Sequence, residues 1–147
     1  MQYIYLLLAL LAGTMMPTQA AINNKLAMQV QSPVLSSFIS FGVGLAALFI
    51  YILISGIPLG NLSLAKNAHP VAWLGGLCGA FFVTAVVIVV PRLGVALTFS
   101  IIIMGQMLAT LPIDHFGFLG TVVKQINVPR ILGVILIIIG VLIVRRF

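Results

Sequence analysis

One acidic side chain, Asp114, stands in a chain of 147 residues, and His115 follows it. A carboxyl beside an imidazole can hold and release a proton near neutral pH, or gate one face of a membrane. Asp-His-Phe-Gly (114–117) also reads as a turn, in which Asp114 only compensates Lys124 or Arg130. A second group of polar residues, Thr14, Thr18, Gln19 and Asn23, interrupts an apolar run around Pro17. Proline there cannot donate to the Gly13 carbonyl, which predicts a kink and a free acceptor near Gln19. Gln19 and Asn23 are four residues apart, so a helix puts both carboxamides on one face, where they could bind a polar group or line an entrance. Asn23-Asn24-Lys25 can equally mark a helix end among lipid headgroups. A third group, Thr98, Gln106, Thr110 and Asp114, spirals along one helix at spacings of four and eight. Gln106 falls about 3 Å from the middle of its apolar segment at the helical rise of roughly 1.5 Å per residue. It offers a donor and an acceptor either to a substrate or to a neighbouring helix.

These residues leave little room for other chemistry. With one acid, His69 and His115, and the single Cys78 inside an apolar run, no nucleophile–base pair and no metal-ligand spacing is visible, so neither catalysis nor a bound metal is expected. Without a second cysteine, Cys78 forms no intramolecular disulfide and reads as a small packing residue. No Gly-rich phosphate loop with a following Lys is present; movement of a solute would be passive or ion-coupled, and no cofactor is expected. The net charge of +6 is spread over seven Lys and Arg near helix ends, which suits membrane-surface anchoring and not nucleic acid.

The elements that position these groups are membrane spans. The chain is 63% hydrophobic with a mean hydropathy of +1.33. Apolar segments cover roughly Tyr3 to Ala21, Val34 to Ile54, Val71 to Val90, Val95 to Ile113 and Ile131 to Val144. The first four hold about twenty residues each, enough for a hydrocarbon core of about 30 Å. The fifth is shorter, but Arg130, Arg145 and Arg146 flank it and can snorkel to the interfaces. The fold class is therefore all-α, an integral membrane bundle of five helices in a single domain, 1–147. Ser32-Pro33 opens the second span, Gly56-Ile57-Pro58 follows its end, and Pro91-Arg92-Leu93-Gly94 predicts a tight turn and an antiparallel hairpin of the third and fourth. Met1 to Ala20 lacks a Lys or Arg ahead of its apolar run and is expected to remain as the first span, not a cleaved signal.

Charge balance bears on assembly. With five spans, Lys66, Lys124 and Arg130 fall on one side of the membrane, and Lys25, Arg92, Arg145 and Arg146 on the other. A protein inserted one way concentrates Lys and Arg on the cytoplasmic side, so near-equality predicts dual topology and pairing of two copies upside down. Gly133 and Gly140 lie seven residues apart on one face of the last span and would let a partner helix approach, or would pack within the monomer. The stripes Ser36, Ser40, Gly44 and Gly75, Gly79 read as intramolecular packing. Trp73 sits near the start of the third span, as an interfacial anchor or a substrate contact, and Tyr3 and Tyr5 are interfacial anchors.

Several of these segments also carry a resemblance. Leu11-Ala12-Gly13, Pro17 through Asn23, Ser32-Pro33, Ser40-Phe41-x-Val43-Gly44, Trp73 through Gly76, Val83-Thr84, Pro91 through Gly94, Gly105-Gln106 and Asp114 through Gly117 occur in an order and spacing that resemble the small YdcZ-type proteins of the drug/metabolite transporter superfamily. The last helix, Gly133-Val134-x-Leu136-Ile137-x-x-Gly140-Val141, is similar to the dimerising helix of small multidrug resistance transporters. The resemblance implies a five-helix, multi-pass protein of the bacterial inner membrane. Small multidrug resistance transporters use a glutamate on the first helix, and this chain has no acid there. Their shared-carboxylate mechanism is therefore not carried over, because a bare cation in a low-dielectric site needs an opposing charge. Asp114 lies at a span's edge, where its two copies in an upside-down dimer would sit at opposite faces.

The expectation is thus a secondary-type exporter of small neutral or amphipathic metabolites or lipophilic compounds, working by alternating access in an antiparallel dimer, as half of a superfamily-like unit. Gln19, Asn23, Gln106 and Trp73 are the expected substrate contacts, Asp114 and His115 the coupling or gate candidates, and Gly133 and Gly140 the dimer contacts. Expected partners are membrane lipids, a small-molecule substrate and a second copy or a relative. The alternative is a non-transporting subunit that pairs with an oppositely oriented relative; a channel fits less well, for want of a ring of charges.

Overall fold

The computed structural model describes residues 2–146. Five α-helices account for most of them: α1 (Gln2–Val30), α2 (Pro33–Ile54), α3 (Leu74–Leu93), α4 (Val95–Phe116) and α5 (Val128–Arg146). Short 3-10 segments cover Leu59–Asn67, Pro70–Trp73 and Phe118–Gly120, and no strand occurs among the described residues. Each of the five, α3 taken together with the 3-10 turn before it, is long and apolar enough to cross a membrane. A helix closes its backbone hydrogen bonds within the segment, the condition lipid imposes on a spanning chain. Large apolar side chains point outward, among them Leu10 on α1, Phe38 on α2 and Leu136 on α5, all more than half exposed. That surface is what a hydrocarbon solvent accepts and water does not.

The chain divides into two compact units, Met1–Arg92 and Leu93–Phe147. In the first, α1 packs against α2 around a small, partly polar contact. Ala20 and Asn23 are buried on α1, Ser36 and Ser37 on α2. The turn between them is set locally: Gln31 takes a left-handed φ of +54, Ser32 is extended and accepts from Leu35 N at 3.2 Å, and Pro33 opens α2. Serine as N-cap and proline in the first turn suit a helix start. The ring of Phe41 lies 3.5 Å from where a Cβ on Gly79 would stand, an ordinary van der Waals distance between α2 and α3.

The first helix runs past the apolar segment that ends near Ala21. α1 continues through Asn23, Asn24 and Lys25 to Val30, and through Pro17 without interruption. Its 29 residues measure about 43 Å at 1.5 Å per residue, so α1 must tilt or project beyond a core of about 30 Å. Two bonds hold the extension. Asn24 Nδ2 donates to Ala20 O at 3.2 Å within the helix, and Ser36 Oγ donates across to Asn23 O at 2.7 Å.

In the second unit α4 and α5 pack together, with Val134 and Val141 buried on α5 and Thr98 on α4. Gly94, at φ +78, precedes α4, and Gly117, at φ +62, ends it in the left-handed conformation. A Cβ on Gly117 would meet Val123 Cγ2 at 2.7 Å and Thr121 O at 3.3 Å. Only glycine meets both the conformation and the space. Asn127 accepts from Arg130 N at 3.0 Å and so caps the start of α5.

Candidate functional site

Lipid makes polar side chains costly, so where each one spends its hydrogen bonds separates structural from available groups. Most hydroxyls on the helices are spent on nearby backbone. Thr14 donates to Leu11 O (2.7 Å), Thr18 to Thr14 O (2.9 Å), Ser37 to Pro33 O (2.9 Å), Thr98 to Gly94 O (2.6 Å) and Thr110 to Met107 O (3.1 Å). These threonines and serines need no outside partner.

The amides of α1 are different. Asn23 is 3% exposed, its Nδ2 is buried, and no acceptor reaches it. Its backbone carbonyl is engaged by Ser36, and its side-chain nitrogen has no partner. Gln19 lies one turn earlier on the same face, and both side chains line an open groove of about 440 Å³. Thr18 and Ser40 complete the polar part; Met15, Met16 and Ile22 form the apolar part. No lining residue carries a charge. The groove lies entirely in the first unit, built by α1 with one side chain from α2. Such a site can hydrogen-bond a neutral polar group and cover an apolar body with thioether and branched-chain surface. It has no group with which to neutralise an ion.

The other expected substrate contacts stand elsewhere. Trp73 ends the 3-10 turn before α3, is 64% exposed and does not line the groove. Gln106 belongs to the second unit, exposed on α4. Ser40 was legible only as part of a small-residue stripe, and a stripe gives no signal of which member faces a cavity.

Asp114 and His115 sit at the C-terminal end of α4, and both are tied into the following loop. Asp114 Oδ2 accepts from Arg130 Nη2 at 2.5 Å, with both side chains about 30% exposed. Arg130 Nη1 also donates to Lys124 O at 2.9 Å, and Lys124 N donates to Asp114 O at 2.8 Å. His115 Nδ1 accepts from Ile126 N at 3.2 Å. The lone acid is thus one corner of a clamp that folds 118–127 back onto the end of α4. Gly133 and Gly140 lie on α5, and a Cβ at either would meet nothing within 4 Å of its own chain. Among the described residues no cluster of three His, Cys, Asp or Glu could hold a metal.

A family model described as "Putative inner membrane exporter, YdcZ" matches residues 4–143. The chain belongs to the YdcZ family. This YdcZ-family chain is a multi-pass protein of the inner membrane, with five spanning helices and a transporter role that the family's description supports. No curated protein and no solved structure matches it. The family match covers both units, so the α1–α2 groove and the Asp114–Arg130 clamp both lie within it.

Proposed function

We propose that this YdcZ-family protein exports small neutral or amphipathic molecules, taking their polar end in the α1–α2 groove. The observation that carries the reading is an uncharged, methionine-lined groove that carries the carboxamide residues Gln19 and Asn23. A cation exporter needs an opposing charge at the site to offset desolvation. Here the only carboxylate is engaged by Arg130 in the other unit. Asp114 acts as a loop fastening, not as the proton-coupling acid.

Transport proceeds by alternating access in an antiparallel dimer. The near-equal charge on the two sides supports insertion both ways. The open space beside Gly133 and Gly140 supports a close α5–α5 contact, since neither glycine is needed for packing within its own unit. Flux through proteoliposomes carrying the double variant Gln19→Leu/Asn23→Leu tests the site. The double variant should lose transport of neutral solutes while remaining folded and dimeric; transport equal to the parent would refute the groove as the pathway.

A further inference from the structure

Gln106 is the polar side chain that lipid should tolerate least. It lies beside the midpoint of α4 (Val95–Phe116), at a depth where the bilayer offers neither water nor a headgroup. The hydroxyls of Thr98 and Thr110 on the same helix bond nearby backbone carbonyls, whereas no hydrogen bond among the described residues takes up the exposed Gln106 carboxamide. Interhelical bonds from glutamine help to associate helices in lipid, where burial of apolar surface drives nothing. A carboxamide is also its own complement. A two-fold axis between two copies lets each N–H donate to the other's oxygen, so one glutamine satisfies a second with two bonds.

Depth favours an inverted second copy. The Asp114–Arg130 pair sets the register of α4 against α5. From it Gln106 is about 12 Å along α4, and the point midway between Gly133 and Gly140 is about 10 Å along α5, at roughly 1.5 Å per residue. Both centres therefore lie at nearly one depth. A two-fold axis in the membrane plane at that depth inverts height and keeps lateral position, so it sets α4 against α4 and α5 against α5 at once. Gln106 then meets Gln106, and Gly133 meets Gly140. An axis along the membrane normal holds only one of the two helices close to its own copy. Gly105 and Ala109, small and exposed beside Gln106, let two α4 backbones approach.

Resting on the antiparallel-dimer reading, we propose that the α4 face centred on Gln106 docks a second, inverted copy, the two Gln106 carboxamides bonding each other at the middle of the membrane. The pair fixes the register of the dimer and makes Gln106 an assembly residue, outside the groove of α1 and α2.

Disulfide trapping of the full chain in lipid, on a Cys78→Ala background, tests the orientation. Ile102 and Thr110 stand one turn either side of Gln106 on its face. Chains carrying Ile102→Cys should cross-link to chains carrying Thr110→Cys, and neither to itself. Like positions would be about 12 Å apart along the helix axis, against the roughly 7 Å that a disulfide spans. Energy transfer between labelled copies diluted in lipid tests the amide pair: Gln106→Leu should weaken dimerisation about five- to thirtyfold and leave the monomer as stable as the parent. Cross-linking of like positions only would overturn the proposal together with the antiparallel reading. Cross-links as expected, but with dimerisation unchanged in Gln106→Leu, would overturn the amide pair alone. So would a less stable Gln106→Leu monomer, whose lost bond would lie within the chain. Trapped dimers of the expected kind that move no solute after reduction would support the pairing and refute the transport reading.

Discussion

Replacing Asn23 by leucine should make the protein more stable and less active, and the sign of the stability change separates a binding group from a structural one. Asn23 is almost wholly buried, and its Nδ2 is unpaired. Leaving a buried donor unsatisfied costs about 1–3 kcal/mol, which removal of the amide recovers. Leucine keeps asparagine's branched outline but carries two bulkier methyls, and because the position borders the open groove the packing cost is taken as up to about 1.5 kcal/mol. The Ser36 bond goes to the Asn23 backbone carbonyl and survives the substitution. Taking up to about 1.5 kcal/mol from about 1–3 kcal/mol leaves between about −0.5 and +3 kcal/mol, centred on a gain of about 1 kcal/mol. If Asn23 were instead glue between helices, its loss would cost about 0.6 kcal/mol and as much as about 1.7. Reversible unfolding in mixed detergent micelles, followed by the fluorescence of Trp73, the only tryptophan, reads the difference. A variant less stable than the parent by about 1 kcal/mol or more would refute the claim that the amide is held in reserve.

Asp114→Asn should keep neutral-solute transport and its pH profile unchanged, with a stability loss under about 1 kcal/mol because the Arg130 pair is partly exposed; a shifted pH profile would return the acid to the mechanism. Gly117→Ala should destabilise by about 1–2 kcal/mol through the left-handed backbone alone, and more through the clash with Val123, seen as faster proteolysis within 118–127. Gly133→Ala with Gly140→Ala should leave the single chain at least as stable, because each methyl meets open space and alanine favours helix, while cross-linking shows a weakened dimer. A lowered monomer stability in that pair would mean that the glycines pack within the chain.

The sequence made the five spans legible because hydropathy and length act over whole segments, where local detail averages out. The end of α1 was not legible in the same way. Asn23-Asn24-Lys25 has the composition of a headgroup crossing, yet it stays helical, with Asn24 bonded to Ala20 O within the helix and Asn23 O accepting from Ser36, thirteen residues on. The spacing of Gln19 and Asn23 was enough to put both on one face, and they share a groove. Ser40 was missed as a groove residue because a serine spaced among small residues reads as packing. The partner of Asp114 was left open between Lys124 and Arg130, because a loop of this length fixes no pairing until Gly117 sets its direction; in the structure Lys124 contributes its backbone and Arg130 its charge.

Charge preference of flux tests the central claim most directly. Purified protein in proteoliposomes, offered neutral, cationic and anionic solutes of matched size, should move the neutral ones and give no proton-dependent export of simple cations. Strong proton-coupled cation export, retained by the Gln19→Leu/Asn23→Leu variant, would contradict it.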